Sequence, residues 1–335
     1  STLVEGMSLE RAEVSDRDAK IHINGPVLNA VTRARLRQQV GYVLSNFSSV
    51  NKFELTYNGS VVSEDAPTGF QEAPMSPEIS KRVVGLEDGK LVIREDYLSQ
   101  QPETTGTESV TDASDPAINY DGTALACLGD TGRSLYFFSG GKGQYLVKNK
   151  KMTAPSFDSF GWLWVAESDG AVRAYNAAST NEKERSKGIE IPVSWRSGMT
   201  FSSLRISHDG ARVVVVGTRD GTAAVVMSGV VRDSSGTPKG FTEPVRVTSS
   251  ITPRTAVWAG EQNLVVVNDK TGESEVTTLS GEETKFDRLD GVKSVSAAGN
   301  TSNMLAHRSD GSCYVLEERG WNRLNTSTRE MSFAG

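Results

Sequence analysis

The sequence predicts a mainly β protein, a β-propeller preceded by part of a small α/β domain. Three observations carry this. Helical periodicity is confined to residues 1–60, short apolar runs separated by tight turns fill the remainder, and a glycine recurs in the second turn of each run-turn-run unit. At 335 residues the chain is long enough for more than one unit.

In the first region, Ile21 and Ile23 flank His22, an alternation that suits a half-buried strand, and Gly25-Pro26 ends it. Leu36, Val40, Val43, Leu44 and Phe47 then fall on one helical face, with Arg33, Arg35, Arg37 and Gln38 off it. That pattern predicts an amphipathic helix packed on a sheet. Phe53, Leu55 and Tyr57 alternate with Glu54 and Thr56 and lead into Asn58-Gly59, a strong hairpin signal, before Val61-Val62. The predicted unit is strand, helix, strand, hairpin over residues 1–62. Residues 63–80 hold Pro67, Pro74 and Pro77 with almost no apolar periodicity and read as a linker.

The predicted propeller spans 81–335. Its units read as a strand, a turn, an apolar strand, a glycine turn and a third strand, as in 117–119, 123–128 and 134–138. Further instances begin near Ser156, Ser203, Thr255 and Val292. The turn glycines are Gly89, Gly132, Gly170, Gly221, Gly272 and Gly311, spaced 38 to 51 residues apart. A period in that range, with several strands and no helix, is the propeller signature. Six blades are expected, with five or seven as alternatives. The ring would be closed by strands from both ends, for which 321–324 and 330–333 are available. Residues 99–114, rich in Thr, Ser, Gln and Glu, read as a long loop.

A net charge of -6 and a pI near 5.3, without a clustered basic surface, argue against a nucleic-acid partner. The run Lys148-Asn149-Lys150-Lys151 has no interleaved aromatics and reads as a solvated turn. No apolar run reaches the length of a bilayer span. Cys127 and Cys313, each in an apolar strand-like run, read as buried free thiols, although a disulfide between them is left open.

Little in the chain resembles catalytic machinery. His22, His208 and His307 lie in unrelated contexts and are expected to share no site. HExxH, CxxC and Gly-x-Ser-x-Gly motifs are absent, so neither catalytic nor metal nor cofactor residues are assigned. Ser139-Gly140-Gly141-Lys142-Gly143 lacks the ending of a phosphate loop and reads as a turn between strands. Asp130, Asp169, Asp220 and Asp310 recur in the turns that carry the glycines, which left-handed turn geometry explains without a metal. Phe157, Phe160, Trp162 and Trp164, with Trp258 and Trp321, read as core between blades, with a ligand pocket in the central funnel as the alternative.

The segments Ala19–Pro26, Arg35–Leu44 and Val50–Gly59 resemble the C-terminal part of a GerMN domain, a small α/β module. A GerMN domain followed by a degenerate propeller resembles the LpqB family of actinobacterial lipoproteins. That resemblance implies a non-enzymatic, lipid-anchored protein on the outer face of the cytoplasmic membrane. It also implies an accessory role toward the MtrB sensor histidine kinase of the MtrA/MtrB two-component system, by protein-protein contact. No catalytic or cofactor residues come with the family, and the interaction surface is unassigned. The lipobox cysteine and the first part of the GerMN domain are expected to precede Ser1. A cell-wall ligand-binding or hydrolytic propeller, with its site in the central funnel, is the alternative reading.

Overall fold

The computed structural model describes all residues except 1–5, 46, 48, 69, 71–79, 100, 106, 234, 248, 280–281 and 319. Residues 69 and 71–79, more than half of the predicted linker, therefore lie outside the described residues. The chain divides into two compact units, Ser1–Glu78 and Ile79–Gly335. Among the described residues, no helix is long and apolar enough to cross a membrane.

In the first unit, β1 (Ser8–Ser15), β2 (Asp18–Asn24), β3 (Lys52–Tyr57) and β4 (Ser60–Val61) form one sheet in that order, and α1 (Ala30–Ser45) joins β2 to β3. β2 and β3 are parallel, as a helical crossover requires. Asn29 caps α1, its Oδ1 accepting from the Thr32 backbone N–H at 2.8 Å. The Asn58-Gly59 turn has both residues at positive φ, 48° and 75°, as the hairpin signal demands. Gly25 is required by close approach, because a Cβ there would meet the Tyr57 hydroxyl at 2.5 Å.

The sequence-based expectation for this unit needs two corrections. β1 was not anticipated, because it is a polar edge strand exposed along its whole length and carries no alternation. The apolar stripe expected for α1 is also only partly used: Leu36 is buried and Val40 packs beside it, Val43 is more than half exposed, and Phe47 lies beyond the helix end and is likewise exposed. In a β-α-β crossover the helix runs back over the strands, so its first half covers their C-terminal ends. Those ends hold the buried Ile23, Leu55 and Tyr57.

The second unit contains six antiparallel sheets among its described residues. Sheet 1 comprises Val83–Glu87, Lys90–Arg94 and Glu103–Thr104, with Arg329–Phe333 added from the far end of the chain; sheets 2 to 6 occupy 114–147, 156–191, 199–247, 253–285 and 292–323. The first three strands of each of sheets 2 to 6 form a meander whose first strand is innermost; in sheet 4 the third strand, Thr222–Arg232, pairs with both Pro238–Phe241 and Val245–Val247. The innermost strands touch in a closed cycle: sheet 1 to 2, 2 to 3, and onward until 6 meets the Arg329–Phe333 strand of sheet 1. One apolar cluster fills each of the six interfaces between neighbouring sheets. The second strands supply the largest single share of it, with Val213, Val214, Val216, Leu264, Val265, Val266 and Val267 fully buried. A buried branched side chain contributes roughly 1.5–3 kcal/mol, which makes these packed interfaces the main support of the ring.

All six turn glycines adopt positive φ, between 70° and 84°, and each lies between the second and third strand of its sheet. Gly89 obeys this rule only because Arg329–Phe333 is the first strand of sheet 1. Of the two segments expected to close the ring, 330–333 does so. Gly320–Arg323 instead pairs with Cys313–Glu317 as the outer strand of sheet 6. A short helix, Glu182–Lys187, and the outer strands of the sheets are further elements that apolar periodicity did not reveal.

Candidate functional site

The innermost strands run side by side in one direction. Ser202 Oγ donates to the Arg254 carbonyl at 2.9 Å, Lys293 pairs with Glu330, and Ser296 meets Ser332 further along both strands. The ring therefore has a leading end, where these strands begin, and a trailing end, where they leave for the second strand.

At the leading end the ladder is interrupted in every sheet. Register shifts fall between Phe201 and Ser203, Pro253 and Thr255, Val292 and Ser294, Ser114 and Ala117, and Arg329 and Ser332. In sheet 3, residues 154–155 leave the ladder between Thr153, whose N–H still donates to the Ala166 carbonyl, and Ser156. A bulge frees one residue from pairing and re-aims its side chain. The freed residues include Asp115, Ser202, Arg254, Lys293 and Glu330. Asp115 and Glu330 sit at φ 52°, a left-handed conformation that costs a non-glycine residue about 1–2 kcal/mol.

These residues form one charged cluster. Lys293 Nζ lies 3.0 Å from Glu330 Oε1 and 3.9 Å from Asp115 Oδ2. Glu330 Oε2 accepts the Asp115 backbone N–H at 2.7 Å. Burial alone would lower the Lys293 pKa, but Asp115 and Glu330 outweigh it and hold the ammonium above its ordinary range. Arg205 lies further along its strand and is half-buried, its Nη1 reaching the carbonyls of Ala154 at 2.8 Å and Pro155 at 3.1 Å. Burial lowers its pKa, with Asp115 opposing. Arg254 is exposed and donates only a long bond, 3.4 Å, to the Val292 carbonyl. Among the described residues, neither Arg205 nor Arg254 has an ion-pair partner. Behind the cluster, His307 is buried with Ser294 Oγ 3.1 Å from its Nδ1, and burial keeps the imidazole neutral by lowering its pKa.

Around this cationic centre runs an acidic rim. The second-to-third turns lie at the leading end too, since the second strand of a meander ends where the first began. They carry Asp88, Asp130, Asp169, Asp220, Asp269 and Asp310, all exposed.

The trailing end is built differently. Asp158, fully buried, accepts from the backbone N–H of Phe160 and Trp162, from Trp164 Nε1 at 2.8 Å and from Arg232 Nη2 at 2.6 Å. The Arg232 guanidinium lies 4.2 Å from the Phe160 ring centroid and 5.6 Å from that of Trp164, and donates to the Gly210 and Gly236 carbonyls. Tyr120 meets His208 edge to face, with centroids 5.4 Å apart. Burial pushes the His208 pKa down to about 4, against the pull of Asp209.

The residues singled out in the sequence do not assemble into one site. His22 bonds Thr56 in the first unit, while His208 and His307 sit at opposite ends of the ring. Cys127 lies between sheets 1 and 2 and Cys313 between sheets 6 and 1, both free and buried. Phe157, Trp164 and Trp258 fill interfaces between sheets, and Trp162 and Trp321 pack at their margins. Phe160 does not: it is 42% exposed and covers Arg232, because its turn carries it past the end of the sheet. Gly140 and Gly141 form the turn between two strands of sheet 2. The charged cluster itself went unnoticed in the sequence. Its one signal is a polar residue shortly before the apolar part of each first strand, as Asp115 precedes Ala117-Ile118 and Lys293 precedes Val295.

The model of the lipoprotein LpqB β-propeller domain matches residues 90–331. Lipoprotein LpqB of Streptomyces avermitilis is 26% identical over 171 residues, which make up 47% of this chain and 27% of that protein's length. Among solved structures, TolB from Acinetobacter baumannii is similar over 98% of this chain and 99% of its own, with a TM-score of 0.55 and 14% identity. A chain of a nidogen/laminin complex is similar over 76% of this chain and 98% of its own, with a TM-score of 0.54 and 10% identity. At such identities these two structures speak to the fold alone.

Proposed function

This chain belongs to the LpqB β-propeller family, and on that premise we propose that it is a non-catalytic, extracytoplasmic accessory protein. It acts by protein-protein contact on the sensor region of a two-component histidine kinase of the MtrB type. The match across 90–331 carries the reading, and the lipoprotein named among its relatives supports a lipid-anchored location on the outer face of the cytoplasmic membrane. The first unit serves as a GerMN-type module, a role supported by its strand-helix-strand core.

The physical argument is one of rigidity. Six packed interfaces fix the leading and trailing turns in space, so a partner docks on preformed loops and little ordering entropy is lost. Binding then shifts the kinase only by the difference in affinity for its two signalling states. Calorimetry of this chain with the isolated extracytoplasmic domain of the cognate kinase, at moderate salt, tests the proposal. Saturable binding at micromolar strength or tighter is expected. Absence of heat at high concentration would sink it and turn attention to a cell-wall ligand.

A further inference from the structure

We infer that the leading end of the ring is a binding site for a single carboxylate, presented by a peptide that is otherwise neutral or basic. Charge arithmetic within the cluster is the first support. Arg205, Arg254 and Lys293 face Asp115 and Glu330, which leaves one positive charge in excess.

The excess resides on identifiable groups. Lys293 is already engaged by both carboxylates, and neither guanidinium has an ion pair among the described residues, Asp115 acting on Arg205 only at longer range. Arg205 is half-buried and hydrogen-bonded only to carbonyl oxygens, an arrangement that removes water from a cation without supplying a paired anion. Arg254 stands on the neighbouring bulge and spends one long hydrogen bond on the protein, leaving most of its five donors open. A guanidinium presents a planar fork that matches a carboxylate in two-point fashion.

The class of anion follows from the same arithmetic. A monoanion neutralises the centre, whereas a phosphate monoester, with about -1.5 to -2 charges at neutral pH, overshoots it. The exposed aspartates of the rim further disfavour a highly acidic ligand, at a range that salt screens beyond about 10 Å. Hence the carboxylate is one that arrives on a neutral or basic chain. The bulges explain why the centre is preformed, since each one fixes the backbone from which its charged side chain departs.

The test is NMR titration of the whole chain, following the side-chain Nε–Hε signals of arginine, which report directly on guanidinium contacts. The probes are acetyl-Gly-Glu-Gly-amide, its Gln counterpart, acetyl-Gly-Gly-Gly with a free C-terminus, and inorganic phosphate. Saturable shifts of the Arg254 and Arg205 signals are expected with at least one carboxylate peptide and not with the Gln peptide. The first and third peptides distinguish a side-chain carboxylate from a chain terminus. Arg254→Gln should weaken binding at least about tenfold, with Arg254→Lys intermediate, because a charge-assisted pair is lost. Arg254 is exposed, so both variants should fold. Silence of both arginines at 50-fold excess over the protein, tighter binding of phosphate, or indifference to Arg254→Gln would each overturn the inference. The probes contain no kinase sequence, so their failure leaves the calorimetric test untouched, and failure of calorimetry leaves this one standing.

Discussion

The two ends of the ring hold the same kinds of residue and use them in opposite ways. At the trailing end, Asp158 and Arg232 are both buried, and every hydrogen-bonding atom of the carboxylate is spent on the protein. At the leading end, the four charged side chains of Asp115, Arg254, Lys293 and Glu330 depart from bulges, and among the described residues neither Arg254 nor Arg205 has a carboxylate in ion-pair range. A paired buried charge holds loops together, because removing one partner leaves the other desolvated. An unpaired, accessible charge contributes little to stability and remains free for a ligand. The difference teaches that location in the ladder, more than residue type, separates a structural charge from a binding one.

The largest effect should come from breaking the trailing end. Asp158→Ala strands the Arg232 guanidinium and the Trp164 indole N–H, and should cost about 3–5 kcal/mol in urea unfolding. Loss under 1 kcal/mol would erase the contrast between the two ends.

A pH series sharpens it next. His208 has a folded pKa of about 4 against 6.5 in the unfolded chain, so below pH 6.5 the unfolded state binds the extra proton. Stability should therefore fall as pH drops from 6.5 toward 4, by on the order of 3 kcal/mol from this residue. His307 is depressed in the same direction. His208→Asn should flatten that part of the stability curve, and an unchanged slope would remove His208 from the account.

Lys293→Met leaves Asp115 and Glu330 facing each other without their cation. With the ammonium about a third exposed, the cost should be only about 1 kcal/mol, shrinking as salt screens the repulsion. A salt-independent cost would show that the pair acts through packing. Smallest of all, Arg254→Gln should change stability by less than about 0.5 kcal/mol, as at most exposed positions. A larger loss would mean that Arg254 is structural, against its contrast with Arg232.

Much of this fold is legible in the sequence, and the reason differs by element. The second strand of each sheet is buried on both faces, so 213–216 and 264–267 read as continuous valine-rich runs. Outer strands such as Lys142–Val147 and Glu283–Lys285 face water and have no such pattern, and β1 fails for the same reason. The stripe on α1 was legible as a helix, yet it misled about burial, because periodicity cannot say how far the sheet beneath extends.

The sequence by itself determined the period of the ring, its glycine turns, the Asn58-Gly59 hairpin and the strand-helix-strand order of the first unit. All of these are local, set by φ preferences and by side-chain alternation over a few residues. Only the tertiary structure decided which end strand closes the ring and which charges meet. Arg232 finds Asp158 across 74 residues, and Glu330 reaches Asp115 across 215. A one-residue bulge, invisible in apolar periodicity, turns a side chain from the ladder toward the ring's centre. Such pairings exist only once six interfaces have packed, which is why the site emerges from the fold and not from any motif.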